Sequence, residues 1–234
     1  MDDLWQKLDL LGFSIMPDLL NFDEIDGLFA ALSAVEASDA VRKRGGVYAI
    51  RNLLEVVPAV ARLAKSDKLA TLVRSALGNE AFPVRGTLFD KTPDANWLVP
   101  WHQDLTICVK QRIDAAGFGP WTIKAGIHQV QPPTAILEAM LAVRIHLDDC
   151  NERNGALRIL PSTHRSGRFT AEQVDFEQRG RSPVTCSVRR GGVVLMKPLA
   201  LHPSSAAADP THRRLIHIDY ASCTLPSGLE WFVE

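Results

Sequence analysis

The apolar positions change period about one third of the way along the chain. Before that point they recur at helical spacing. Asn21 has Glu24 behind it in a capping pattern, and Ile25, Leu28, Phe29 and Leu32 follow, which predicts a surface helix with one buried stripe. Leu69, Leu72, Val73 and Leu77 predict a second helix that starts near Ser66 or Asp67 and stops at Gly78. Residues 12–17 alternate and end in Pro17, the pattern of a short strand.

From Ala81 the runs become short and extended, broken by Gly, Pro and Asn. Residues 84–89 read as a strand, 92–96 as a loop, and 97–109 as a further extended stretch. Residues 110–133 carry no clear period and contain Gly117, Gly119, Pro120, Pro132 and Pro133; an irregular stretch this long is the natural candidate for a lid or substrate-recognition segment. Residues 141–148 alternate strictly. Leu141, Val143, Ile145 and Leu147 form one face and Arg144, His146 and Asp148 the other, and the alternation leaves open whether that polar face looks into a barrel or to solvent. The Asn154-Gly155 pair predicts a hairpin into residues 156–161, which makes the two runs antiparallel neighbours. Thr170 and Gln173 mark a short capped helix, and residues 184–188, 193–196 and 215–220 complete the strands.

Helices first and many short strands afterwards predict a mainly β fold with flanking helices, a double-stranded β-helix of the jelly-roll, cupin-like kind. The 234 residues suit a single domain, with a helical part over about 1–80 and a jelly-roll core over about 81–222.

Composition narrows the class. A hydrophobic share of 46% and a charged share of 23% describe an ordinary globular protein, and a net charge of -1 without a dense basic run argues against a nucleic-acid binder. The expected partner is a small molecule. Cys108, Cys150, Cys186 and Cys223 lie far apart, so neither a zinc knuckle nor a disulfide framework is indicated. No basic start leads into an apolar run, and nowhere do about 18 apolar residues occur together. The expectation is a cytoplasmic protein without membrane association.

Chemistry concentrates at Trp101-His102-Gln103-Asp104. On an extended segment His102 and Asp104 share one face and Gln103 points away. An imidazole and a carboxylate so placed supply two of the three ligands of a site in which two histidines and one carboxylate hold iron(II) and leave other positions open. The third belongs at the end of a later strand, and His202, behind the apolar run 193–196, is in that position. Shortly after it, Arg213 and Arg214 open the last strand; a guanidinium matches a carboxylate bidentately, which a dicarboxylic cosubstrate requires. Alternation sends the two arginines to opposite faces, and spacing selects Arg213, with Arg214 as the alternative register.

These motifs, with residues 155–165 between them, make the chain resemble the phytanoyl-CoA dioxygenase family of iron(II)- and 2-oxoglutarate-dependent oxygenases, from roughly Leu10 to Ala221. The resemblance implies iron(II) on His102, Asp104 and His202, 2-oxoglutarate as cosubstrate with its distal carboxylate on Arg213, and O2 as oxidant. It implies hydroxylation, or a related oxidation, of a small molecule with release of succinate and CO2. Halogenases of the wider group lack the carboxylate ligand that Asp104 supplies here, so the resemblance favours oxygen transfer over halide transfer.

Arg85, Thr87 and Lys91, on the strand before the metal motif, are candidate pocket residues, as are Trp101 and His128; Trp97 and Trp121 are further candidates for its wall. Gln103, Arg158 and His164 are expected to be structural, and His212 and His217 bystanders. Two other functions fit the same ligands: a cupin-like metal-dependent isomerase or hydrolase working without 2-oxoglutarate, and a metal- or ligand-binding domain without turnover.

Overall fold

A computed structural model describes residues 2–36, 38–44 and 46–233. In chain order the elements are α1 (Asp2–Leu11), β1 (Phe13–Met16), α2 (Phe22–Ser33), β2 (Val41–Arg44), β3 (Gly46–Ile50), α3 (Leu53–Val56), α4 (Pro58–Ala64) and α5 (Asp67–Leu77). Then come β4 (Phe82–Lys91), β5 (Val99–His102), β6 (Ile107–Val109), β7 (Trp121–Lys124), β8 (Ile127–Val130), α6 (Thr134–Glu138) and β9 (Met140–His146). The chain finishes with β10 (Arg158–Ile159), α7 (Ala171–Gly180), β11 (Val184–Thr185), β12 (Val193–Met196), β13 (His202–Ser204) and β14 (Arg213–Ala221).

A seven-stranded sheet in the order β1-β12-β9-β14-β4-β3-β2 forms the back wall. Opposite it stand the small sheets β13-β5, β10-β11 and β6-β8-β7. This is the double-stranded β-helix that the strand pattern predicts, open rather than a closed barrel.

Alternation divides the large sheet into two faces. Leu141, Val143 and Ile145 on β9, with Ile216, Ile218 and Tyr220 on β14, turn outward onto Ile25, Leu28, Leu53, Val60, Leu69 and Val73 of the helices, and all are buried. Each such side chain contributes about 1.5–3 kcal/mol on burial. The helices dock where their stripes predict: Asn21 caps α2 in a full capping box and Ser66 caps α5. Tyr220 Oη donates to the carbonyl of Ala64 at 2.9 Å and ties α4 to the sheet. On the inner face two further apolar clusters, one around Val109, Leu199 and Trp231 and one around Phe13, Ile159 and Met196, close the two ends of the sandwich. Between them the inner face is polar, and there Arg144 and His146 of β9 point, which settles the direction that alternation left open.

Four sequence expectations change. Among the described residues the first 80 positions carry three strands besides their helices, because β2 and β3 extend the large sheet as a hairpin whose arms are not apolar enough to stand out. The span 110–133 is not irregular throughout: β7 and β8 pair and add to β6 through Cys108↔Gln129 and Thr122↔Gln129. Asn154-Gly155 does not join hairpin neighbours. β9 pairs β12 and β14, whereas β10 pairs β11, so the turn carries the chain from one sheet to the other. Gly155 has φ +80°, and a Cβ there would lie 2.5 Å from the carbonyl oxygen of Ser205 and 2.9 Å from Lys91 Nζ, so this turn needs glycine for space as well as for conformation. Finally, β5 ends at His102, so Asp104 sits in the loop beyond the strand. Its placement comes from the hydrogen bond of its N–H to the carbonyl of Pro198 at 2.9 Å, not from strand alternation.

Candidate metal centre and cosubstrate cavity

His102 and His202 are register partners across the β5-β13 ladder, and their ring centroids stand 4.2 Å apart. Asp104 closes the group: its Oδ1 lies 3.8 Å from His102 Nε2 and its Oδ2 lies 3.8 Å from His202 Nε2. One ligand atom from each residue falls within 4.8 Å of the others.

The backbone fixes both rings the same way. His102 Nδ1 donates to the carbonyl of Pro100 at 2.8 Å and His202 Nδ1 donates to that of Ala200 at 2.8 Å, which leaves both Nε2 lone pairs directed at Asp104. Such a carbonyl behind each ring is the usual support of a metal-binding histidine. Burial pushes His202 down to about 3, against the pull of Asp104, so its ring is neutral at physiological pH, as a ligand must be. Asp104 Oδ2 is buried with no hydrogen-bond partner. Two bare imidazole nitrogens and an unsatisfied carboxylate oxygen on one point fit a divalent cation of borderline hardness.

The group lies on the floor of a cavity of about 500 Å³, within the range of small-molecule sites. Arg85, Thr87 and Lys91 line it, and so does Trp97. Lys91 Nζ bonds Ser204 Oγ at 2.8 Å and the carbonyl of Ser205, and it stands 5.8 Å from the Trp97 ring. Burial, with Arg213 nearby, lowers Lys91 to about 7. Arg213 is buried and lines the cavity; Nη1 donates to the carbonyl of Gly155 at 3.0 Å and Nε has no partner. Arg214 turns the other way into a bidentate pair with Asp148, both bonds 2.8 Å, over the ring of Phe29. Of the two registers, the inward one belongs to Arg213.

Trp101 and His128 are not brought to the cavity. Trp101 is on the opposite face of β5 from His102 and faces the guanidinium of Arg158, and His128 pairs with Val109 across β6-β8 while its neighbour Gln129 lines the cavity. Trp121 sits instead beside Arg112. Gln103 points away from the metal group, donating to the carbonyls of Gly167 and Leu199 and accepting from Phe169 N–H, all at 2.8 Å. His164 bonds the carbonyl of Asp9 and His212 pairs with Asp90.

His217, expected to be a bystander, lines the cavity in a buried chain of side chains. Arg144 Nη1 donates to His217 Nδ1 at 3.0 Å, His217 Nε2 donates to Asp219 Oδ1 at 2.9 Å, and Arg85 Nε donates to Asp219 Oδ2 at 2.6 Å. Burial opposes both charges of the last pair, yet their attraction keeps Asp219 well below the usual carboxylate range and Arg85 above its ordinary value. The signal in the sequence was the period of β14: Arg213, His217 and Asp219 fall on one face. The cavity residues Arg42, Arg44, Tyr48 and Arg51 were also missed, although Gly45-Gly46 between two extended runs is a hairpin signal.

Residues 9–215 match the profile of the family described as phytanoyl-CoA dioxygenase (PhyH). The ectoine dioxygenase of Bordetella bronchiseptica is 24% identical over 172 residues, which is 70% of this chain and 49% of that protein. The chain therefore spans about half the length of the curated relatives it matches. Among solved structures, AviO1 from Streptomyces viridochromogenes Tue57 superposes with a TM-score of 0.71 at 22% identity, covering 97% of this chain and 96% of its own. EctD from S. alaskensis, solved with bound Fe, superposes with a TM-score of 0.74 at 20% identity, covering 95% and 76%. Both share the double-stranded β-helix.

Proposed function

The chain belongs to the phytanoyl-CoA dioxygenase family, and from that premise we propose that it is an iron(II)- and 2-oxoglutarate-dependent oxygenase that hydroxylates a small molecule. The observation that carries this reading is the convergence of His102, Asp104 and His202 beside two buried cations, Lys91 and Arg213, in one cavity.

In this reading His102, Asp104 and His202 hold iron(II), and Arg213 binds the distal carboxylate of 2-oxoglutarate with Lys91 beside it. The unpaired Nε of Arg213 suits a carboxylate acceptor, and a dianion offsets two buried positive charges that, among the described residues, no carboxylate neutralises. Iron and 2-oxoglutarate, when bound with O2, supply the oxidative decarboxylation that oxidises a substrate C–H bond and releases succinate and CO2. The chain's part is to position and to exclude. The carbonyls of Pro100 and Ala200 hold the histidine rings, Gln103 anchors the loop between the two ligands of the motif, and the Arg144-His217-Asp219-Arg85 chain holds the floor rigid. Trp97 and Tyr48, in edge contact at 5.6 Å, wall one side against water.

The cupin-like hydrolase reading leaves Arg213 and Lys91 without a purpose, since neither is needed by a metal-activated water. The test is substrate-dependent release of succinate from 2-oxoglutarate across small-molecule classes. The oxygenase reading expects a class that stimulates release in the wild type and not in Asp104→Ala, and stimulation of equal size in Asp104→Ala would contradict it.

A further inference from the structure

The charge of the cavity is lopsided beyond what the cosubstrate needs. Among the described residues eight of its lining side chains are Arg or Lys and Asp104 is the one carboxylate, in a chain whose net charge is -1. Arg85 is spent on Asp219, Arg144 donates to His217, and Lys91 and Arg213 are assigned above to 2-oxoglutarate. Arg42, Arg44, Arg51 and Lys124 remain. Arg42, Arg44 and Lys124 are exposed while the metal group below is largely covered, so they stand at the mouth.

Among the described residues, exposed arginines fall into paired and unpaired ones, and Arg62, Arg74 and Arg189 share the unpaired state, so it is the clustering of Arg42, Arg44 and Arg51 on one cavity that sets them apart. Arg112, Arg153, Arg165 and Arg190 each pair with an aspartate, whereas among the described residues no carboxylate pairs with Arg42, Arg44 or Arg51. The fold nevertheless holds two of them together. Arg42 is the register partner of Ala49 on the cavity face of β3, and the Arg51 N–H donates to the carbonyl of Ala40 at 2.8 Å, which closes the hairpin and brings Arg51 beside Arg42. The repulsion registers on Arg51, whose guanidinium is pushed below its ordinary value by burial and then by Arg42. Arg51 Nη1 is buried with no hydrogen-bond partner. Like charges kept adjacent, with a buried donor unused, form a receptor for an anion.

We infer that the primary substrate carries an oxyanion group, a carboxylate or a phosphate ester, received by Arg42, Arg44 and Arg51 at the cavity mouth while the carbon to be oxidised lies over His102 and Asp104. The inference deepens the oxygenase reading and rests on it for the second half of that statement. An anion gripped at the mouth fixes one end of the substrate, so the distance from its acid group to the metal group selects the carbon presented. Tyr48 and Trp97, which line the same cavity in edge contact, suit an apolar or unsaturated middle.

The test uses the full chain, loaded with iron(II) and saturating 2-oxoglutarate without oxygen, at fixed ionic strength. Thermal melting is followed against propionate, methyl phosphate and, as the uncharged control, propionamide. A saturable rise in melting temperature with at least one acid and none with propionamide is expected, and the acid that acts tells carboxylate from phosphate ester. In Arg42→Gln/Arg51→Gln that response should weaken at least five-fold, while the rise given by 2-oxoglutarate persists. Arg44→Gln, on an exposed position, carries the same expectation if the double variant does not melt cooperatively. Equal responses to acid and amide, no response to either acid, or unweakened binding in the variants would overturn the inference. Loss of the 2-oxoglutarate response in the wild type would instead count against the oxygenase reading, with the acid-against-amide comparison still deciding whether an oxyanion binds at the mouth.

Discussion

His102 and His202 are directly paired across one short ladder, with both Nδ1 atoms tied to backbone carbonyls two residues upstream and both Nε2 atoms turned to Asp104. The geometry of this His-Asp-His group is thus built largely by main chain. Pairing β5 with β13 by itself brings the two imidazoles together.

The two adjacent arginines separate by function. Arg213→Ala should raise the 2-oxoglutarate concentration needed for half-maximal succinate release ten- to a hundred-fold, because a charged hydrogen bond to the cosubstrate is worth about 1.5–3 kcal/mol. Arg214→Ala should leave that requirement within about two-fold and lower stability by about 1 kcal/mol, since its pair with Asp148 is partly exposed to solvent. Steady-state titration of both variants checks this, and the reverse ranking would assign the cosubstrate to Arg214.

Gly155→Ala should destabilise the protein by more than about 2 kcal/mol, from left-handed strain together with the collision with Ser205 and Lys91. Urea unfolding measures it. Because the same turn's carbonyl accepts from Arg213, the surviving folded fraction should also bind 2-oxoglutarate more weakly.

Gln103→Ala separates support from ligation. It strands two carbonyls and one N–H in a covered region and should cost about 1–3 kcal/mol, visible as a lower melting temperature. The iron stoichiometry of the folded protein should stay at one, as the side chain points away from the metal group. A loss of iron without a loss of stability would make Gln103 a ligand-side residue.

How much of this was legible depends on how local the cause was. The helices α2 and α5 were readable because caps and stripes lie within a few residues of each other, and β9 because its alternation is strict. His102, Asp104 and His202 were readable as residue types in order along the chain, yet it is the bond to Pro198, not strand alternation, that places Asp104. Pairing was not readable. Nothing near Asn154-Gly155 says that β10 leaves for another sheet, and nothing near Arg42 or His217 says that their neighbours in space are cavity residues. The arginine cluster escaped a reading based on net charge because acids elsewhere cancel it in the sum while the fold keeps them apart.

Lys91 predicts a pH dependence of stability. Its amine is lowered from 10.5 to about 7 in the folded protein, so between those values the unfolded chain binds the extra proton. Stability of the ligand-free protein should therefore rise as pH goes from about 7 toward 10.5, and the penalty is fully present below 7. One pKa unit corresponds to about 1.4 kcal/mol, so even part of the shift moves the melting temperature by several degrees. Lys91→Met should flatten this slope in melts recorded across that range; an unchanged slope would place its origin elsewhere.

The central claim is that His102, Asp104 and His202 hold iron(II) with 2-oxoglutarate bound beside Arg213, and anaerobic visible absorption tests it most directly. Adding iron(II) and 2-oxoglutarate to the wild-type protein should produce the weak charge-transfer band of the chelate, saturating at one iron per chain, and Asp104→Ala or His202→Ala should abolish it while remaining folded. Absence of the band in folded, iron-loaded wild-type protein, or an undiminished band in either variant, would contradict the account.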